Sequence, residues 1–121
     1  MRTSVECNPG EFLPLSAASF YILVALAEAD RHGYSILCDI GERTGGRVKL
    51  NPGTLYTTIK RLLGDGLILE LGERPDPEAD DERRRYYRIT PCGRRVVRAE
   101  AARLEDLVAM ARSAGLAPKP A

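Results

Sequence analysis

The chain has 121 residues, with 18 Lys and Arg against 17 Asp and Glu, a formal net charge of +1 and 44% hydrophobic residues. That balance describes one globular domain, not a disordered chain, and the length leaves little room for a large catalytic cleft beside a scaffold. The longest apolar run, Phe20 to Ala27, is too short to span a bilayer and the N-terminus lacks a signal peptide's apolar stretch, so no membrane partner and a cytoplasmic location are expected.

Residues 1–14 carry Pro9, Gly10 and Pro14 and no helical period, which predicts a flexible arm. Ser16 can cap a first helix to about Glu28, with Phe20, Ile22, Leu23, Leu26 and Ala27 as its buried stripe. Residues 29–33 read as a turn, with His32 a simple turn residue. A second helix follows from Tyr34 to about Arg43, with Ile36, Leu37 and Ile40 inward, and Gly45-Gly46 stops it. Residues 47–50 alternate and suggest a strand stub. Asn51-Pro52, a cap residue and then proline at the first helical position, opens a third helix that ends near Gly64.

Leu67 to Leu71 reads as a strand, and residues 72–82, with six acids, as a polar hairpin tip. Arg83 to Ile89 is the return strand, with Tyr87 and Ile89 on one face and Tyr86 and Arg88 on the other. Thr90-Pro91 repeats the cap-then-proline start and opens a last helix to about Ser113, followed by a flexible tail at 115–121. The expected fold is mainly α with a small β-hairpin: a winged helix-turn-helix over 15–90 plus a C-terminal dimerisation helix over 91–114. In that architecture the third helix enters the major groove and the hairpin wing reaches the flanking backbone.

On a helical wheel Leu55, Ile59, Leu62 and Leu63 share a narrow arc that must face the core. Gly53, Thr54, Thr57, Lys60, Arg61 and Gly64 lie opposite, a face of hydroxyls and cations with no acid. Thr can meet base edges, Lys and Arg reach phosphate or guanine, and Gly53 leaves the helix N-terminus open to a phosphate. Tyr56, at the edge of the apolar arc, can pack its ring and aim its hydroxyl outward. A merely solvated face usually mixes signs, and this one does not.

The small net charge hides this segregation. Arg43 to Gly64 holds five cations and no acid, Glu70 to Glu82 seven acids among eight charges, and Arg83 to Arg98 seven arginines and no acid. Arg83, Arg84 and Arg85 fall where a wing touches phosphate, although Asp80, Asp81 and Glu82 are close enough in sequence to pair with some of them. In the last helix Val97, Ala101, Leu104, Val108 and Ala111 follow a 4-3-4-3 spacing, widened by Val96 and Leu107. Left bare, that stripe would expose an apolar patch, so it reads as the seam of a homodimer. A two-fold dimer would set two recognition helices one DNA turn apart, on a palindromic operator.

His32-Gly33-Tyr34, Asn51 to Tyr56, Arg61 to Ile68, Arg84 to Thr90 and Gly93, in this order and spacing, resemble the PadR-like transcriptional regulators. The resemblance runs from about Leu15 to Arg112, and the single short C-terminal helix is similar to the family's shorter subgroup. It implies a winged-helix homodimer that represses by occupying its operator, with an unidentified small-molecule effector releasing it. It also implies that Tyr34, Thr54, Tyr56, Thr57, Lys60 and wing arginines lie near DNA. The expected DNA surface is therefore Tyr34, Asn51, Gly53, Thr54, Tyr56, Thr57, Lys60, Arg61, Arg83 and Arg84. The chain has no Trp, and its last helix has no aromatic residue, unlike members that hold flat aromatic effectors against tryptophan.

No nucleophile–base pair, cofactor motif or metal-ligand set appears, so no enzyme, cofactor or metal is expected. A winged-helix protein-interaction module that does not bind DNA is the alternative. Cys7, Cys38 and Cys92 are too few and too widely spaced for a disulfide framework. Cys38 reads as core. Cys92 falls in the first turn of the last helix, where the dipole favours a thiolate. Redox pairing with Cys7 or with a cysteine of a second copy is one reading of it, and a small residue tolerated at a helix start is the simpler one.

Overall fold

The computed structural model describes residues 7–75 and 83–120, with Pro75 and Arg83 described by their backbone alone. A 3-10 turn, Pro9–Phe12, precedes α1 (Ala17–Glu28), β1 (Arg31–His32), α2 (Gly33–Arg43), α3 (Pro52–Gly64), β2 (Ile68–Pro75), β3 (Arg83–Ile89) and α4 (Pro91–Ser113). The strands form one antiparallel sheet in the order β1-β3-β2. This is the winged helix-turn-helix with a C-terminal helix.

Three of the four α-helix starts are held by the residues that the sequence offers as caps. Ser16 Oγ accepts from the Ser19 amide at 3.1 Å, Asn51 Oδ1 from the Thr54 amide at 2.8 Å, and Thr90 Oγ1 from the Gly93 amide at 3.0 Å. α3 ends where Gly66 turns left-handed, at φ 74°, and the Leu67 amide donates back to the Leu62 carbonyl. The core draws Ile22, Leu23 and Leu26 from α1, Ile36 and Ile40 from α2, and Leu55, Ile59 and Leu62 from α3. Ile68, Tyr87 and Ile89 add the inner face of the sheet, and Val96 and Val97 the first turns of α4.

Several local expectations differ from the structure. No strand forms at 47–50; the third strand is Arg31–His32, inside the stretch expected to be a turn, paired with Tyr87 and Tyr86. Two residues are too few to show a period, and this strand is held from outside: Arg31 Nε donates to the Ala25 carbonyl at the end of α1. β2 runs on to Pro75, past the expected end at Leu71. It does so through a bulge between Glu70 and Gly72, where Gly72 takes φ 92°, a conformation that costs glycine little. The remaining hairpin tip, with Asp80, Asp81 and Glu82, lies outside the described residues.

The N-terminal stretch from Cys7 onward is not a loose arm. Cys7 is buried and disulfide-bonded to Cys92, with a Cα–Cα distance of 5.7 Å, and Phe12 and Leu13 pack against the core. Wide spacing excludes a disulfide framework and does not bear on one long-range pair. Residues 1–6 lie outside the described residues. Cys38, expected in the core, is exposed. Beyond α4 the chain turns back, with the Leu116 amide on the Ala111 carbonyl and Arg112 Nε on the Pro118 carbonyl, both at 2.8 Å.

Candidate nucleic-acid interface

α3 presents two unlike faces. Leu55, Ile59 and Leu62 are buried, and Thr58 turns its hydroxyl back to the Thr54 carbonyl at 2.7 Å. Asn51, Gly53, Thr54, Thr57, Lys60, Arg61 and Gly64 are exposed. Among the described residues no carboxylate pairs with Lys60 or Arg61. Arg61 stands nearest the N-terminal stretch, where it lines a small cavity with Phe12, Pro14 and Asp65.

Three further side chains gather beside this face. Tyr56 is 51% exposed, and its ring lies so close to Gly33, at the start of α2, that a Cβ there would stand 2.9 Å from Tyr56 Cζ. The next residue, Tyr34, is 58% exposed and has the Arg84 guanidinium of β3 5.8 Å from its ring centroid. α2, α3 and the wing are thus joined through Gly33–Tyr56 and Tyr34–Arg84, a cation–π contact. Arg83 is at the outer end of the β2–β3 ladder, opposite Pro75.

Other basic residues turn out to be structural. Arg43 pairs with Asp39 and Glu28, both at 2.6 Å, and Arg31 pairs with Asp39 and Glu28 as well, a network that fixes α2 against the end of α1. The hydrogen bonds that Arg43 donates to these two carboxylates, Asp39 first, raise its pKa above the ordinary value. Arg88 donates from two nitrogens to Asp30 at 3.0 and 2.8 Å, which holds the Asp30 carboxyl below the usual carboxylate range and joins the wing's base to the α1–β1 corner. Arg85 faces Glu70 and Glu73 at 3.5 and 4.0 Å.

The acid-free blocks of the sequence are therefore only partly available to a ligand. Arg43 and Arg88 each pair with an acid distant in sequence, Glu28 at 15 residues and Asp30 at 58, a pairing that counting along the chain does not reveal. Asp39, Arg43's other partner, is four residues back on the same helix. His32 is more than a turn residue. Its Nδ1 accepts from the Ser35 amide at 3.2 Å, capping α2, and its ring meets Tyr86 edge-on with centroids 5.2 Å apart. Its place directly before a helix, three residues ahead of Ser35, was the available signal.

α4 changes character along its length. Val96 and Val97 are buried in the domain's own core, whereas Ala101, Leu104, Leu107 and Val108 are exposed and Ala111 is half-buried. Glu100 marks the change. It is 2% exposed, accepts from the Leu15 amide at 2.9 Å and binds Arg103 through both carboxylate oxygens, at 2.5 and 3.0 Å. The Arg103 bonds first, and the Leu15 amide after them, hold its carboxyl below the usual range.

The Transcriptional regulator PadR-like family matches residues 22–99, a span that takes in the second half of α1, all of α2 and α3, the wing and the buried first turns of α4. The chain belongs to this family. Transcriptional regulator Rv3488 of Mycobacterium tuberculosis is 37% identical over 92 residues, covering 76% of this chain and 79% of that protein. A transcriptional regulator from Clostridium thermocellum superposes with a TM-score of 0.67 at 28% identity, covering 78% of this chain and 89% of its own. Bacillus subtilis PadR, solved in complex with operator DNA, shares the fold with a TM-score of 0.57 at 21% identity, over 71% of this chain and 47% of that one.

As a PadR-like protein, the chain is a transcriptional regulator and not an enzyme. Among the described residues, no helix is long and apolar enough to cross a membrane.

Proposed function

We propose that this PadR-like regulator is a cytoplasmic homodimeric repressor that binds a palindromic operator through α3 and the wing and pairs through α4. One observation carries the DNA surface: the exposed face of α3, with Thr54, Thr57 and Lys60 and no acid, continues into Tyr34 and Tyr56 and on to Arg84 of the wing. Asn51 and Gly53 leave the N-terminus of α3 exposed toward the same ligand, and Arg61 and Arg83 extend its two ends. Bacillus subtilis PadR bound to its operator supports the same use of the shared fold.

The exposed Leu104, Leu107 and Val108, flanked by Ala101 and Ala111, are the pairing surface, and Val97 anchors the same helix to its own domain. Two-fold pairing sets the two α3 helices about 34–36 Å apart, one turn of DNA. An effector of ordinary size needs a cavity of several hundred Å³. The cavity between the N-terminal stretch and α3 holds only about 100 Å³; any effector is assigned to the α4 interface or to the space between α4 and the DNA-binding core.

Fluorescence anisotropy on the DNA upstream of the protein's own gene tests this, with a salt titration and a random duplex as reference. Thr57→Ala with Lys60→Ala should weaken specific binding at least about tenfold and flatten the salt slope by about one. Leu104→Glu with Val108→Glu should give monomers by light scattering and lose most operator affinity. Binding without preference over the random duplex, or a protein-interaction activity untouched by the α3 pair, would overturn the reading.

A further inference from the structure

The Cys7–Cys92 bond stands outside everything the DNA-binding reading uses. We propose that it is a reversible thiol–disulfide switch that clamps residues 7–14 across the start of α4 and beside the C-terminal end of α3, strengthening DNA binding when closed. The regulatory part of this rests on the proposed function above.

The clamp joins parts of the molecule that meet nowhere else in sequence. Cys7 is buried, Cys92 is half-buried at the second position of α4, and 85 residues separate them. Between Cys7 and α1 the chain makes the Pro9–Phe12 turn, lays Phe12 and Leu13 on the core, and reaches Leu15, whose amide is held by Glu100. Phe12, Pro14 and Leu15 line one cavity with Arg61, Leu62 and Asp65 from the end of α3. The closed clamp therefore packs the stretch directly behind the recognition helix. With the bond open, Leu15–Glu100 still holds the start of α1, and everything upstream of it loses its covalent tie.

Three things argue for a switch over a permanent staple. A protein that acts on chromosomal DNA works where thiol systems keep cysteines reduced, and disulfides in such compartments are transient. Cys92 sits in the first turn of a 23-residue helix, where the backbone amides favour its thiolate. Its resolving partner, Cys7, is already in place.

The oxidant class is a hydroperoxide. The Cys92 thiolate attacks the distal oxygen; an S–O bond forms, the O–O bond breaks, and the alkoxide leaves and takes up a proton as alcohol. The Cys7 sulfur then attacks the Cys92 sulfenic sulfur. The S–S bond forms and the departing hydroxide leaves as water with the Cys7 proton. Two thiols and one hydroperoxide give one disulfide, one alcohol (water, for hydrogen peroxide) and one water. A cellular dithiol reverses the step by thiol exchange.

The test uses the full chain, reduced and then treated with hydrogen peroxide, followed by dithiothreitol. Titratable thiols should fall from three to one, Cys38, and recover. Amides from Gly10 to Leu13 should be protected from hydrogen exchange in the oxidised form and released in the reduced form, in Cys7→Ser and in Cys92→Ser. The reduced form and both variants should bind the upstream duplex at least about fivefold more weakly than the oxidised chain. Cys38→Ser should lose the same two thiols, leaving none, and match the wild type in exchange and binding.

Loss of two titratable thiols on oxidation of Cys7→Ser, equal exchange in both redox forms, or equal DNA affinity would each overturn the proposal. Failure of both redox forms to bind any duplex would overturn the DNA reading instead, and the thiol and exchange results would still decide the clamp.

Discussion

Glu100→Ala isolates the junction between the DNA-binding domain and the exposed half of α4. The carboxylate it removes is almost wholly buried and accepts three hydrogen bonds, one from the Leu15 amide and two from Arg103. Truncating one member of a well-buried charge pair costs about 3–5 kcal/mol. Arg103 is 36% exposed and regains water when its partner is lost, so its share is discounted. The charge-assisted bond from Leu15 alone contributes about 1.5–3 kcal/mol, because its amide is left facing an alanine. The expected loss is about 2–4 kcal/mol.

Urea unfolding followed by circular dichroism, at one fixed protein concentration, measures it. The sign of the pH dependence is set by the lowered folded pKa of Glu100. Its contribution is present above the pKa of an unfolded glutamate and is lost as pH falls through the lower folded value. The gap between wild type and variant should therefore be full at neutral pH and close in acid. A gap below about 0.5 kcal/mol at neutral pH, or one that persists unchanged in acid, would refute this account of the junction.

Two glycine replacements probe the interface from behind. At Gly93 a methyl group would collide with the Leu67 carbonyl oxygen, which is held by the Thr90 amide, and stand 2.8 Å from Ile89 Cγ1. Gly93→Ala should therefore cost about 1–3 kcal/mol in thermal or urea unfolding despite alanine's better helix propensity. A stabilised variant would show that α4 is free to shift. At Gly33 the obstacle is the Tyr56 ring, an exposed side chain that can swing away, so Gly33→Ala should change stability by less than about 1 kcal/mol. Anisotropy should nevertheless show weaker operator binding, and unchanged affinity would remove Tyr56 from the DNA surface.

Much of this protein is legible one residue at a time. Ser16, Asn51 and Thr90 announce three helices, because capping is a local hydrogen bond between neighbours in sequence. The period of Leu55, Ile59 and Leu62 orients α3 and hence its polar face, because a helix converts spacing into direction with no help from the rest of the chain. Tyr87 and Ile89 orient β3 in the same way.

What the sequence leaves open depends on distance in space. Arg43 and Arg88 belong to acid-free blocks of the sequence, and only the fold brings Glu28 and Asp30 to them. Arg31–His32 is a strand only because β3 lies beside it, and Glu100 is an anchor only because the Leu15 amide arrives there. Cys7 and Cys92 are two scattered residues until the fold closes 85 positions of chain between them. Caps and periods are short-range and additive, so they can be read in order. Ion pairs, edge strands and a disulfide between distant residues are set by which surfaces meet, and only the packed tertiary structure decides that.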